Sequence, residues 1–204
     1  MSITEDGLKK NQANFASLSP LSFLERTRKT FPNQTAIEYK NYKLSYNEAG
    51  KRCDALANLI KNYNFNSGST IAVMLPNIPV MWECHFGIPM ATGVLNAINT
   101  RLDSYTVQFI LEHGEAKLFI YDSEYSFIIE KAIEKLDNPP ILIEFVDEVA
   151  GNKRSNFANK VNCLDYETEL KNFFGTKFDH VLPNDEWNSI ALNYTSGTTG
   201  NPKG

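Results

Sequence analysis

The chain has 204 residues, of which 42% are hydrophobic and 22% are charged, a composition typical of a globular protein with one large or two small domains. Its formal net charge of −4 argues against a general nucleic-acid-binding surface and against a basic membrane-binding face. The three cysteines and three histidines are scattered and form no Cys-x-x-Cys pair, so we predict buried free thiols, a cytoplasmic location and no zinc site.

The chain begins with a polar segment over residues 1–20, which lacks the apolar core of a secretory signal. The most apolar stretch, over 71–98, is interrupted by three prolines and by Glu83 and His85, so it predicts no membrane span. We therefore expect a polar N-terminal segment followed by one folded unit from residue 21 onwards.

Helices and strands alternate along the rest of the chain. Helices are predicted where apolar residues recur every three or four positions, and strands where short apolar runs stand between turn residues. In chain order the predicted elements are a helix over 21–29, a hairpin over 35–39 and 43–45, a helix over 46–61, a strand over 70–75, a helix over 80–86, a strand over 94–98, a helix from 103 or 104 to 113, a strand over 116–121, a helix over 125–136, a strand over 141–145, a helix over 165–174 and a strand over 190–194. This alternation predicts an α/β fold, with a mostly parallel sheet and helices on both faces.

Two local patterns support these assignments. Ser45 precedes the helix over 46–61 as its expected N-cap, because Glu48 three residues later completes a capping box. The strand over 70–75 is apolar throughout, as expected when both faces of a sheet are covered. The stretch 146–160 is polar, and we predict a surface loop whose charged residues are solvated.

The most specific stretch is residues 195–204, Thr-Ser-Gly-Thr-Thr-Gly-Asn-Pro-Lys-Gly. Its glycines let the backbone turn tightly, so that several N–H groups can converge on one anion. The hydroxyl groups add donors, Pro202 orders the approach to Lys203, and Lys203 supplies a positive charge. This chemistry indicates a polyphosphate-binding loop, which differs from both the usual P-loop and the Gly-x-Gly-x-x-Gly pattern.

A flexible linker rich in Gly, Ser and Thr is the alternative interpretation of the same stretch. Against it, residues 187–194 run directly into the loop and are predicted to form a buried strand. A strand that leads into a glycine loop is where α/β sheets place their ligands. We therefore favour phosphate binding over a linker.

The run 194–204 resembles the signature loop of the adenylate-forming enzymes, a superfamily of acyl-CoA synthetases, luciferases and peptide-synthetase adenylation domains. The resemblance extends over the chain from about Phe15 onwards. Segments similar to acyl-CoA synthetases are 21–26 with Phe31-Pro32, 44–48, 87–96 with 98–103, and 185–187. The segment 185–187, Asp-Glu-Trp, is typical of the branch that activates short- and medium-chain fatty acids and includes the methylmercaptopropionate-CoA ligases.

The resemblance implies an AMP-forming acyl-CoA synthetase. Such an enzyme joins a small carboxylic acid to ATP, giving an acyl-adenylate and pyrophosphate, and then transfers the acyl group to CoA. In this family the loop grips the β- and γ-phosphates of ATP, so the residues expected to bind ATP are Thr195, Ser196, Gly197, Thr198, Thr199, Gly200 and Lys203. Lys203 is also the expected catalytic residue, offsetting charge on the departing pyrophosphate. Mg²⁺ accompanies ATP in the family, but no ligand for it is evident in this sequence.

The resemblance also implies that residues 21–204 are the N-terminal portion of the family's large domain. The ribose-binding aspartate, the hinge and the C-terminal domain with its own lysine would follow Gly204. We therefore expect the 204-residue polypeptide to be inactive alone. The alternative function is a non-catalytic nucleotide-binding or interaction module that carries the same loop.

Four other residues invite a catalytic interpretation, which we weigh against a structural one. Cys84 and His85 could form a thiol–imidazole pair, but adjacent residues on a helix point in different directions, so packing is favoured. Glu83 is expected to be solvated or salt-bridged. Arg101 follows a strand end and could touch a ligand or the loop, although a structural ion pair is the favoured interpretation.

Overall fold

The protein is described here by a computed structural model, which covers residues 7, 9–11, 13–179, 182–195 and 202–204. Its elements, in chain order, are helix α1 (Leu21–Thr30), strands β1 (Thr35–Tyr39) and β2 (Tyr42–Ser45), helix α2 (Tyr46–Asn62), strand β3 (Thr70–Met74), helix α3 (Pro79–Met90), strand β4 (Val94–Ala97), helix α4 (Ser104–His113), strand β5 (Leu118–Asp122), helix α5 (Ser126–Ile133), strand β6 (Ile141–Phe145), helix α6 (Asn156–Lys160), strand β7 (Leu164–Asp165) and helix α7 (Tyr166–Lys171). Every helix and strand predicted up to residue 145 is present, with ends that differ by a few residues.

The strands form two sheets in the described part of the chain. Strands β1 and β2 pair as an antiparallel hairpin. The other sheet is parallel, five-stranded and ordered β4-β3-β5-β6-β7. The chain enters this sheet at β3, adds β4 on one side, and then adds β5, β6 and β7 on the other. Parallel pairing brings the carboxyl ends of all five strands to one edge, where α/β sheets place their ligands.

Helices cover both faces of the parallel sheet, as predicted. In β3, Ile71 and Val73 point to a core formed with α1, α2, α3 and α7. The alternating residues Ala72 and Met74 point to a second core formed with α4, α5 and α6. Strand β5 alternates in the same way. Because both faces are buried, β3 and β5 contain almost no polar residues, which confirms the interpretation of their apolar runs.

Local features fix where α2 and α3 begin and how they pack. Ser45 and Glu48 form the predicted capping box at the start of α2. Helix α3 begins at Pro79, where the missing N–H needs no partner inside the helix. The two helices approach closely at Gly87, where an added Cβ atom would lie 2.8 Å from Cδ2 of Leu56.

The stretch 146–160 is not the solvated loop that its composition suggested. It contains α6, whose Phe157 is buried against α5 and the sheet. Asp147 is 4% exposed and accepts a hydrogen bond of 2.7 Å from the Tyr39 hydroxyl. The Arg154 guanidinium donates to a backbone carbonyl group. The prediction was wrong because these polar groups are satisfied by partners far away in sequence or on the backbone.

The stretch 187–194 is not a buried strand. Only Ala191 pairs with the sheet among the described residues, through an isolated parallel bridge to Leu95 of β4. Trp187 is 92% exposed and Ile190 is 42% exposed. The segment lies outside β4 at the edge of the sheet, so β4 covers only one side of it. Several of its apolar residues therefore stay exposed.

Strand β7 was not predicted, because two residues are too few to show a periodic pattern. In the part of the chain that the structure describes, no helix combines the length and the apolar character needed to cross a membrane.

Candidate functional site

The base of the predicted phosphate loop is closed by backbone pairing. Thr195 and Lys203 form an antiparallel bridge in which each N–H donates to the other's carbonyl oxygen, at 2.9 and 3.2 Å. The two ends of the glycine-rich stretch are therefore held side by side. The predicted ATP-binding residues Ser196, Gly197, Thr198, Thr199 and Gly200 fall within 196–201, outside the described residues.

The segment that leads into the loop is attached to β4. The Leu95 N–H donates to the Ile190 carbonyl oxygen at 3.0 Å, and the Leu192 N–H donates to the Leu95 carbonyl oxygen at 2.8 Å. The buried Asn96 side chain adds a third bond, from Nδ2 to the Leu192 carbonyl oxygen at 2.8 Å. These bonds place the loop base at the carboxyl end of β4.

Asn96 was missed by the sequence analysis. It is fully buried, although it stands in the otherwise apolar strand Val94–Ala97. A buried amide must find hydrogen-bond partners, so an Asn within an apolar strand is a signal that another segment pairs at that point. That signal was available in the sequence, but it does not identify the partner.

The Tyr194 ring links the loop base to the helical layer. Its hydroxyl lies 2.7 Å from Nδ1 of His113, the last residue of α4. The two rings meet edge to face, with centroids 5.7 Å apart. A Cβ atom added at Gly204 would lie 2.9 Å from Cζ of Tyr194, so the ring also contacts the chain beyond the loop. Burial raises the pKa of Tyr194 above its ordinary value.

Lys203 and Thr195 are both exposed. Among the residues that the structure covers, no carboxylate lies within salt-bridge distance of the Lys203 ammonium group. An exposed ammonium group at the paired base of a glycine-rich stretch can pair with a phosphate group without first breaking an internal ion pair.

Arg101 follows β4 at the same end of the sheet. It is exposed, and its backbone N–H donates to Oδ1 of Asn99 at 3.0 Å. The ion pair that we expected for Arg101 is not found with any residue that the structure describes. The structure leaves the ligand-contact interpretation of Arg101 in place.

Cys84 and His85 do not form a catalytic pair. Cys84 is fully buried in the core, and burial raises the pKa of its thiol well above the ordinary value. His85, by contrast, is exposed. Packing is therefore the role of Cys84, as predicted.

Glu83 is the buried centre of an ion-pair network and not a free acid. It is fully buried, accepts a hydrogen bond of 2.5 Å from Nε of Arg52, and accepts another of 2.8 Å from the Tyr166 hydroxyl. Arg52 in turn donates two hydrogen bonds to Glu167. The salt-bridged interpretation of Glu83 is confirmed.

A cavity of about 510 Å³ lies beside this network, between the β1–β2 hairpin, α2 and α7. Four of its charged groups are paired within the protein: Arg52 with Glu83 and Glu167, and Asp147 with the Tyr39 hydroxyl. Glu148 and Lys171 also line it and are exposed. Its buried charged groups are satisfied by the protein itself, so we assign no ligand to this cavity. In the described part of the chain, no group of three His, Cys, Asp or Glu side chains could hold a metal ion.

Three curated plant ligases are similar to the chain over nearly its whole length. It is 37% identical to acetate–CoA ligase CCL3 of Humulus lupulus, 34% to the peroxisomal acetate/butyrate–CoA ligase AAE7 of Arabidopsis thaliana, and 36% to the peroxisomal trans-cinnamate:CoA ligase of Petunia hybrida. Each match covers 98% of this chain and 36% of the relative. The chain thus spans about a third of the length of the curated relatives that it matches.

Solved structures share the fold. The anthranilate CoA ligase AuaEII in complex with anthranoyl-AMP matches with a TM-score of 0.78 at 18% identity, covering 95% of this chain and 35% of that one. The N-terminal domain of FACL13 from Mycobacterium tuberculosis matches with a TM-score of 0.67 at 21% identity, covering 90% and 42%. At these identities the likeness establishes the α/β fold alone.

The family model described as AMP-binding enzyme matches residues 24–204. This range includes the capping box, both core layers and the whole glycine-rich loop. The resemblance inferred from the loop is therefore confirmed by a match over most of the chain. The chain belongs to the AMP-binding enzyme family.

Proposed function

We propose that the whole protein carrying this chain is an AMP-forming acyl-CoA ligase that activates a small carboxylic acid. The observation that carries the proposal is the paired base of the loop, Thr195 with Lys203, at the carboxyl end of the parallel sheet. That is where α/β folds hold nucleotides. Membership of the AMP-binding enzyme family and the names of the relatives, which are CoA ligases, support the same reaction.

The proposed reaction has two steps. The substrate carboxylate attacks the α-phosphorus of ATP, forming an acyl–phosphate bond while the bond to pyrophosphate breaks. The CoA thiol then loses its proton and attacks the acyl carbon, forming the thioester and releasing AMP. Such phosphorus chemistry depends mainly on positioning and on charge stabilisation.

This chain would contribute to both effects through the loop. The backbone and hydroxyl groups of 195–200 would donate to the β- and γ-phosphate oxygens, while the glycines would permit the close approach. Lys203 would stabilise the charge that develops on the departing pyrophosphate. Mg²⁺ would enter with ATP, and we assign it no ligand and no step within this chain.

We propose a small aliphatic carboxylate as the substrate. The segments 98–103 and 185–187 resemble the short- and medium-chain branch of the family. Relatives are named for acetate, butyrate and 2-methylpropanoate, although others are named for benzoate and cinnamate. The 185–187 segment supports the branch by resemblance.

A cytoplasmic location is also part of the proposal. Cys53, Cys84 and Cys163 are free and buried, which is usual in a reducing compartment. Four relatives are named as peroxisomal, so imaging of the tagged whole protein must distinguish the two compartments. A peroxisomal signal would replace the cytoplasmic assignment.

The function is tested with the whole protein, MgATP and a carboxylate panel, by detecting pyrophosphate release and then thioester formation after CoA is added. We expect acetate, butyrate or 2-methylpropanoate to give faster release than benzoate, cinnamate or any amino acid. Activity confined to amino acids would refute the substrate class. ATP binding without carboxylate-dependent pyrophosphate release would instead identify a non-catalytic nucleotide-binding module.

A further inference from the structure

We propose that His113 and Tyr194 are positioning residues for the phosphate loop, and that their hydrogen bond sets how often the loop base opens. The inference rests on the proposed function only for its effect on adenylation. The bond joins the Tyr194 hydroxyl to Nδ1 of His113 at 2.7 Å. It connects the residue just before the loop to the last residue of α4.

The Tyr194 ring is placed to hold both ends of the loop at once. Its backbone leads directly into Thr195. Its ring lies against Gly204 on the far side of Lys203, where an added Cβ atom would come within 2.9 Å of Cζ. On its other side the ring reaches Gly114, where an added Cβ atom would lie 3.4 Å from the hydroxyl. A shift of this ring would therefore displace both sides of the loop base, the chain leading to Thr195 and the chain following Lys203.

His113 provides a fixed point for that ring. It ends α4, and Gly114 continues the chain with its N–H bonded to the Ile110 carbonyl oxygen at 2.9 Å. The imidazole also stacks on Phe109 of the same helix, with ring centroids 5.3 Å apart. Helix and stacking together limit the rotation of the imidazole, so its Nδ1 can orient the tyrosine hydroxyl.

The rest of the loop base has few other attachments in the described residues. Ile190, Ala191 and Thr195 are exposed, and the segment is bonded to β4 by two backbone hydrogen bonds and by Asn96. Because so few bonds hold the segment, the additional His113–Tyr194 bond strongly lowers the fraction of molecules in which the Thr195–Lys203 pairing is open. The His113–Tyr194 bond is itself exposed, and Tyr194→Phe keeps the ring that packs against the second core, so removing the bond leaves both buried cores intact.

Hydrogen exchange tests the anchor without any nucleotide. In the whole protein, the Thr195 and Lys203 amides should exchange about three- to tenfold faster in Tyr194→Phe and in His113→Ala, the factor expected for one net hydrogen bond. His113→Asn places an amide where Nδ1 stood and should restore slow exchange. Tyr105→Phe, which removes an exposed hydroxyl from the same helix, should change nothing. Unchanged exchange in Tyr194→Phe would overturn the proposal.

Kinetics test the positioning role. Tyr194→Phe and His113→Ala should slow acyl-adenylate formation or raise the KM for ATP by about three- to tenfold, while thioester formation from supplied acyl-adenylate stays unchanged. Faster exchange with unaltered adenylation would overturn the positioning role. Wild-type protein that releases no pyrophosphate would refute the proposed function, while the exchange result would still decide the anchor.

Discussion

Lys203 is the one basic residue between positions 195 and 204, and it is exposed at the closed base of the loop. Within the whole protein, Lys203→Ala should slow adenylation by ~100-fold, because the developing charge on pyrophosphate loses a donor worth roughly 3 kcal/mol. Thioester formation from supplied acyl-adenylate should be unaffected, since pyrophosphate has already left. Single-turnover measurement of both half-reactions checks this, with Lys61→Ala on the exposed face of α2 as the control. Equal slowing of the two half-reactions would show that Lys203 has no specific role in the release of pyrophosphate.

Glu83 matters for stability and not for chemistry. Glu83→Gln should lower the free energy of unfolding by about 3 kcal/mol, because Arg52 would keep a charge with a 14% exposed side chain and lose its buried partner. Glu167→Gln should lower the free energy of unfolding by less. The Glu167 carboxylate is 37% exposed, so water screens its ion pair with Arg52 and can solvate Arg52 when that pair is lost. Urea unfolding at constant m-value checks the order. Equal costs for the two variants would contradict the buried-pair argument.

Residue roles were predictable where the partner is close in sequence. Ser45 and Glu48 are three positions apart, so their capping box could be predicted and is present. Glu83 pairs with Arg52, and Asn96 bonds to the Leu192 carbonyl, across 31 and 96 positions. Neither the partner of Glu83 nor the role of Asn96 was predicted, because neither partner follows from local spacing.

At the scale of elements, the contact between α2 and α3 depends on Gly87. Replacing a glycine inside a helix by alanine usually raises the free energy of unfolding by roughly 1 kcal/mol. Gly87→Ala should instead destabilise by roughly 1–3 kcal/mol, since the new Cβ atom would come within 2.8 Å of a Leu56 side chain that is fully buried.

The measurement is the free energy of unfolding of the single and double variants. Adding Leu56→Val to Gly87→Ala should recover part of the loss, because the smaller side chain withdraws the atoms that the methyl group meets. A Gly87→Ala variant that is more stable than wild type would show that the helices can separate at no cost.

Elements with a full periodic pattern were predicted well, and those that depend on their neighbours were not. In the long helix α2 and in the apolar strands β3 and β5, the positions of the apolar residues indicate directly which faces are buried. The segment 187–194 has the same apolar character as β3 but lies outside β4, where one side is covered. Its exposure depends on its position at the edge of the sheet, and the local pattern does not contain that information.

At the scale of the whole molecule, we expect the 204-residue polypeptide on its own to form no acyl-adenylate, to bind MgATP no tighter than the millimolar range and to self-associate. The bridge between Thr195 and Lys203 holds both ends of the loop together, so the expected weak binding of MgATP does not come from an unpaired loop base. The reasons are that phosphate contacts alone do little to offset the cost of ordering a ligand, and that Trp187 and Ile190 expose apolar surface beside a sheet edge.

Isothermal titration with MgATP and light scattering of the purified polypeptide check this expectation. A monodisperse monomer with micromolar affinity for ATP would show that these residues form a self-sufficient nucleotide-binding unit. Trp187→Ser offers a matched variant, because it should reduce self-association without altering the loop base.

The order of strands in the sheet also determines when the loop base is made during synthesis. Strands β3 to β7 all precede residue 166, and each joins a strand already in place, so this sheet can assemble while later residues are still being added. The bond between Asn96 and Leu192 closes 96 positions of chain, the kind of distant contact that forms late. Until it forms, the outer edge of β4 is bare and can pair with another nascent chain. Substitutions that weaken the docking of 190–195 should therefore lower the yield of folded protein in cells more than they lower its stability once folded.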